Sequence, residues 1–388
     1  MMARFRFCVR AQSFARIPWS TPLLLVLSVL LVGCGDAPPA ASATPTVSST
    51  PTVSSTPTPP IPVGHPITVT EFPLTPNSNP DAIVAGPDGA LWFTEPKGFT
   101  ESGADKIGRI TTQGQITLFP LPAPKRQLRD ITAGPDGALW FTGFGTTRTG
   151  NAIGRITTQG QITEFALSAP AGEPSLFSAP DSIAAGPDGA LWFTESGADK
   201  IGHITTQGQI TLFSLPTPKS SPNNIVTGPD GALWFTERTV NKIGRITTQG
   251  KITEFSIPTP ESNLGGMAAG PDGALWFTEN GADKIGRITT QGQITEFPAN
   301  PEYELSGIAA GPDGALWFEE FDSYQKGNRI GRITTQGQIT EFPLSTSLNV
   351  QTIAAGPDRM LWVTEIGGTV SDTSRPSKIG RINPPASS

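Results

Sequence analysis

Few side chains in this 388-residue chain are suited to chemistry. It has two histidines, His65 and His203, two cysteines, Cys8 and Cys34, and four methionines. That leaves little soft or metal-ligating capacity and narrows the enzymatic options. Seven residues stand out by position, because each lies five places ahead of a recurring glycine: Asp81, Arg129, Asp181, Asn223, Gly265, Ser306 and Gln351. The set is polar and mixed. Asp81 and Asp181 offer the hard oxygen ligands that Ca²⁺ or Mg²⁺ take. A second series, Glu95, Glu195, Glu237, Glu279, Glu320 and Glu365, is broken once by Gly143. Six acids near one rim would attract cations or basic ligands, or pair with Lys and Arg. His203 stands where the other copies of a motif carry Arg and reads as a structural variant, and His65 ends a Pro-rich stretch and reads as an unstructured residue; neither reads as a ligand.

The elements that must position these residues come from an internal repeat. Gly86-Pro87-Asp88-Gly89-Ala90-Leu91-Trp92-Phe93-Thr94-Glu95 recurs at Gly134, Gly186, Gly228, Gly270, Gly311 and Gly356, at spacings of 41 to 52 residues. Each copy except that of His203 is followed by Ile-Gly-Arg-Ile, as in Ile107-Gly108-Arg109-Ile110, and six copies then carry a Gln-Ile-Thr-Glu-Phe-like run. Four short β-like runs per repeat result: A like Ile83–Ala85, B like Leu91–Glu95, C like Lys106–Thr111 and D like Gln115–Phe119. Gly-Pro-Asp-Gly and Thr-Thr-Gln-Gly are tight-turn sequences, with Pro presetting φ and Gly accepting φ > 0. Seven four-stranded units of this length define an all-β, seven-bladed β-propeller of antiparallel blades. The seven Trp are expected as core, and the Arg of strand C is expected to pair with a nearby acid.

The ends of the chain predict closure. Residues 67–72 read as a D strand with no A, B or C before it, and the last repeat ends after its C strand at Ile382. The N-terminal strand would therefore complete the last blade and remove an open edge. One face of the disc would hold the A–B and C–D turns, which hardly vary. The other would hold the B–C loops of 5 to 13 residues and the D–A loops of 10 to 17. Recognition of an asymmetric ligand must break sevenfold symmetry, so the varied face is the expected functional one. The long B–C loops at 96–106 and 366–378 are expected to contribute to it.

The first 33 residues carry four Arg and no acid before a ten-residue, mostly Leu/Val run, too short to span a bilayer. Leu31-Val32-Gly33-Cys34 resembles a bacterial lipobox. It implies a lipoprotein signal peptide over 1–33, lipidation of Cys34, and an extracytoplasmic, membrane-anchored product in the cell envelope. Residues 34–66 are rich in Pro, Ser and Thr and read as an extended tether. The propeller then covers 67–383, and 384–388 is a tail. The formal charge of −6 gives no footprint for nucleic acid. A monomer is expected.

The composite of Gly-Pro-Asp-Gly-Ala-Leu-Trp-Phe-Thr-Glu, Lys-Ile-Gly-Arg-Ile-Thr and Ile-Thr-Glu-Phe resembles the streptogramin B lyase (virginiamycin B lyase) family over residues 67–383. The resemblance implies Mg²⁺-assisted elimination that opens the ester of a cyclic depsipeptide. In that family two His at the head of adjacent A strands and two Glu form the site. The metal polarises the ester carbonyl while a His takes the Cα proton. Here the positions of the His pair hold Ser306 and Gln351, neither of which is a base near neutral pH. Asn349 stands for one Glu, and Glu365 matches the other. Two functions remain open: a binding scaffold for a small peptide, glycan or envelope protein, with Asp81, Arg129, Asp181, Asn223 and Gln351 as contacts, or a metal-dependent C–O lyase with Asp81, Asp181 or Glu365 on the metal.

Overall fold

A computed structural model describes residues 60–385, apart from 77, 97–104, 123–125, 146–149, 168–178, 322–327, 347–348 and 368–375. The signal segment, Cys34, most of the tether and much of the two long B–C loops lie outside the described residues. Twenty-eight strands, β1 to β28, build seven four-stranded antiparallel sheets. Blade 1 is β2 (Ile83–Ala85), β3 (Leu91–Glu95), β4 (Lys106–Ile110) and β5 (Ile116–Pro120), in that order from A to D. Blades 2 to 6 repeat this meander. Blade 7 is β26 (Asn349–Ala355), β27 (Leu361–Ile366), β28 (Lys378–Ile382) and then β1 (Val69–Pro73). β1 pairs with β28 in the register Val69↔Ile382 to Pro73↔Lys378. The ring is closed by its own N-terminal strand, as the sequence requires.

The repeat motif is legible in the packing. Each B strand is buried along its length and alternates between two neighbours. Trp92 and Ile107 of blade 1 pack on Leu139, Phe141 and Ile156 of blade 2. Equivalent clusters fill every seam, including Trp362 and Ile379 against Leu91, Phe93 and Ile110 across the closure. The Trp of all seven repeats are fully buried. Gly108 lies opposite Phe93, and a Cβ there would come within 2.0 Å of the ring, which explains the Gly of Ile-Gly-Arg-Ile. In the A–B turn, Gly89 has φ +73°, and the one departure, Arg359, adopts φ 61° at the cost a side chain bears there.

The turn Asp holds a clasp. Asp88 Oδ1 accepts the Trp92 indole N–H at 3.0 Å, and Oδ2 accepts Arg109 Nε at 2.6 Å. The arrangement recurs at Asp136, Asp230, Asp272 and Asp313. So the strand-C Arg does pair with an acid, supplied by the A–B turn. His203 takes the Arg place in blade 3, 3.3 Å from Asp188 and edge-on to Trp192.

The folded unit starts earlier than residue 67. Pro62, Gly64 and Ile67 exchange backbone hydrogen bonds with Glu341, Pro343 and Ser345, as a parallel strap along the outer edge of β25 (Ile339–Pro343). The sequence reading ran the tether to residue 66; its last stretch is instead laid against blade 6. Gly64 permits this, since a Cβ would meet the Phe342 ring at 2.3 Å. The strap covers Glu341, whose side chain is 0% exposed beside Arg329, whereas Glu254 and Glu296 on the uncovered edges of blades 4 and 5 keep 10% and 12%.

Candidate functional site

The A strands are innermost and touch one another around the axis. The seven positions singled out in the sequence stand one per blade, six on these strands and Asp81 two residues ahead of β2. A hydrogen-bonded girdle fixes six of them. The strand-B Thr of each blade donates to the carbonyl of this position in the next: Thr94 to Arg129, Thr142 to Asp181, Thr194 to Asn223, Thr236 to Gly265, Thr278 to Ser306 and Thr364 to Asp81, at 2.6 to 3.4 Å. Backbone carbonyls are thus spent on the ring, and the side chains are left for the axis.

The seventh seam differs. Glu319 replaces the Thr of blade 6. Its Oε2 accepts the Gly307 N–H at 2.8 Å, the bond that Thr Oγ accepts in blades 1 to 4. The Ser306 hydroxyl and the Ile353 N–H of blade 7 also favour its ionised form. Elsewhere the bond from the matching N–H falls to a side chain one place after the axial position, as when Asp130 accepts from Ile183 or Asn224 from Met267. Blade 6 has Gly307 there, with no side chain to offer. Glu319 therefore covers two absent acceptors at once. Burial is the main cause that lifts its carboxyl to about 7. The sequence reading missed this residue, although Glu319 stands where the other six copies all carry Thr.

Asp81 and Asp181 are half-buried and Arg129 is exposed at the mouth of the axis. Burial is the largest influence on both acids and raises them, Asp81 to about 6; Arg129 pulls each back, and Asp130 and Asp181 add repulsion at Asp81. Asp130, also missed, is satisfied by Ser182 Oγ and the N–H groups of Ile131 and Ile183, and burial still raises its carboxyl. Asn223 and Gln351 are half-buried and Ser306 is exposed on the other blades.

The acids that end the B strands lie deeper than expected. Glu95, Glu195, Glu237, Glu279, Glu320 and Glu365 are all buried, so they present no rim to solvent. Their state follows from strand D. Where D carries Leu118, Lys106 pairs with Glu95 at 2.9 Å. Where D carries an acid, the cation turns to it: Lys242 to Glu254, Lys284 to Glu296, Arg329 to Glu341 and Lys378 to Glu71. The inner Glu is then left without a cation, and burial lifts Glu237, Glu279 and Glu365 to about 7 and Glu320 to about 8.

A Mg²⁺ ion does not fit the donors present. Glu365 accepts from Thr346 beneath a D–A loop, while the neighbouring Thr364 faces the axis. No group of three or more His, Cys, Asp or Glu able to hold a metal occurs among the described residues, so Asp81, Asp181 and Glu365 do not converge as ligands. Asn349 and Gln351 add no anionic donor.

Closed ring, repeated clasp and polar axial mouth together define a seven-bladed propeller of the lyase-like kind. A model of the virginiamycin B lyase family matches residues 64–176 and 174–384. The chain belongs to the virginiamycin B lyase family. A solved streptogramin B lyase is 36% identical, with 81% of this chain and 97% of that one covered at a TM-score of 0.68. A catalytically inactive virginiamycin B lyase from Staphylococcus aureus with quinupristin is 37% identical over 81% and 98%, also at 0.68. A curated virginiamycin B lyase from Bordetella pertussis (strain Tohama I) is 40% identical over 57 residues, 14% of this chain and 17% of that protein. The match thus spans about a sixth of the length of that relative.

Proposed function

We propose that this chain is a lipid-anchored, extracytoplasmic binding propeller that holds a small peptide, a glycan or a segment of an envelope protein over the axial mouth of its loop face. The reading is supported by the sequence resemblance, which implies Ser306 and Gln351 at the positions of the family's His pair, and by one observation: no cluster of metal donors forms among the described residues. The scaffold is kept and its axial side chains are replaced by groups that hydrogen-bond and pair charges. Lipidation of Cys34 would hold this face outside the membrane at the end of the Pro/Ser/Thr tether.

The test has two arms. Full-length protein in detergent is incubated with Mg²⁺ and a type B streptogramin, and mass spectrometry is used to look for the linearised product. None is expected, and an EDTA-sensitive product would overturn the reading. In parallel, peptide and glycan arrays are probed with the wild type and with Gln351→Ala. Hits that disappear in the variant support the axial mouth as the site.

A further inference from the structure

Charge around the axis is uneven. Blades 1, 2 and 3 contribute Asp81, Arg129 and Asp181 in succession, while blades 4 to 7 contribute Asn223, Gly265, Ser306 and Gln351. The three charges are not spent on the framework. Among the described residues, the carboxylates of Asp81 and Asp181 accept no hydrogen bond and lie in no ion pair, feeling Arg129 only at longer range. The Arg129 guanidinium rests over the Phe144 ring at 5.2 Å and, among the described residues, makes no hydrogen bond or ion pair. The second cation that Asp181 feels, Arg238, is already bound through Nε to Asn263 Oδ1 at 2.7 Å. On the blade 6 side, Glu319 is 1% exposed, its Oε1 has no hydrogen-bond partner, and its charge couples to that of Asp81.

Partly desolvated carboxylates without partners are costly, and two of them flanking an exposed cation match a ligand of the opposite alternation. We propose that the axial mouth over blades 1 to 3 binds a free basic amino acid, with its carboxylate on Arg129 and its α-ammonium and side-chain cation on Asp81 and Asp181. The proposal rests on the loop face being a binding face. Arg presents a planar fork that takes a carboxylate through two hydrogen bonds, and the flanking acids then each receive a cation. The site's charges of −1, +1 and −1 are the inverse of the ligand's. A divalent metal would need several converging anionic donors, and no such cluster exists among the described residues.

Calorimetric titration of the full chain in detergent tests this with L-lysine, L-norleucine and cadaverine as probes. Lysine is expected to bind at least tenfold more tightly than norleucine, which lacks the side-chain ammonium, or cadaverine, which lacks the carboxylate. Arg129→Gln should weaken lysine at least tenfold and hold or strengthen cadaverine, whereas Asp181→Asn should weaken both. Arg129→Lys should recover part of the lysine affinity, and an unchanged melting temperature certifies each variant as folded. Equal affinities for lysine and norleucine, or lysine binding that ignores both Arg129→Gln and Asp181→Asn, would overturn the proposal. The two readings fail differently. If no basic amino acid binds but an array hit is lost in Asp181→Asn, the ligand class is wrong and the binding face stands. If array hits bind Asp181→Asn and Gln351→Ala like the wild type, the binding face itself fails.

Discussion

The two faces of the disc treat the same residue types in opposite ways. On the turn face, Asp88, Asp136, Asp230, Asp272 and Asp313 each bond a Trp and an Arg. Burial pushes these carboxyls up, but the indole, guanidinium and backbone donors outweigh it and hold them below the usual range. On the loop face, Asp81, Asp181, Glu237, Glu279, Glu320 and Glu365 are pushed up by burial with too few donors to pull them back. The turn face is where the repeat stabilises itself. The loop face keeps unmet polar groups, a pattern expected where binding rather than folding sets the residue.

Three measurements break or sharpen this contrast. The largest effect belongs to Glu320. Its folded carboxyl titrates at about 8 against 4.5 for an ordinary Glu, so the folded state holds a proton that the unfolded chain has released. Stability from this group is complete below the unfolded value and is lost as pH rises toward 8, by up to about 1.4 kcal/mol per pH unit. Glu320→Gln should reduce the fall in stability seen in urea melts at pH 5, 6.5 and 8 by this group's share, leaving that of Glu237, Glu279, Glu319 and Glu365; an unchanged slope would mean the carboxyl is ionised throughout. Next comes the clasp. Asp230→Ala leaves the Trp234 indole and Arg245 without their acceptor and should cost about 1–3 kcal/mol at neutral pH. Smallest is Asp181→Asn, which removes no bond and should shift stability by less than about 0.5 kcal/mol. A loss comparable to that of Asp230→Ala would place Asp181 in the framework and erase the contrast.

Much of the fold was legible because it is written seven times. The Trp, the turn Asp and the Gly of Ile-Gly-Arg-Ile recur at fixed offsets, and each has one dominant packing reason. Closure followed from counting strands. The site was less legible. Glu319 was hidden by reading the B strand as a uniform motif, and its meaning appears only beside Gly307, twelve residues away. The state of Glu237 or Glu320 depends on which residue strand D offers to the cation between them, a three-strand relation that linear spacing does not display. The strap at 60–67 was masked by its composition, since Pro, Val and Gly there read as a continuation of the tether.

That strap sets the order in which the molecule yields to traction. A pull applied ahead of Pro60 is borne first by the bonds along β25, with Gly64 wedged on Phe342 and Val69 N–H held by Ser345 Oγ at 3.0 Å. Only after those part does tension reach β1 and the joint between the first and last blades. The chain ahead of residue 60 is thus moored to blade 6, so that the hydrogen-bonded closure of β1 on β28 is relieved of load.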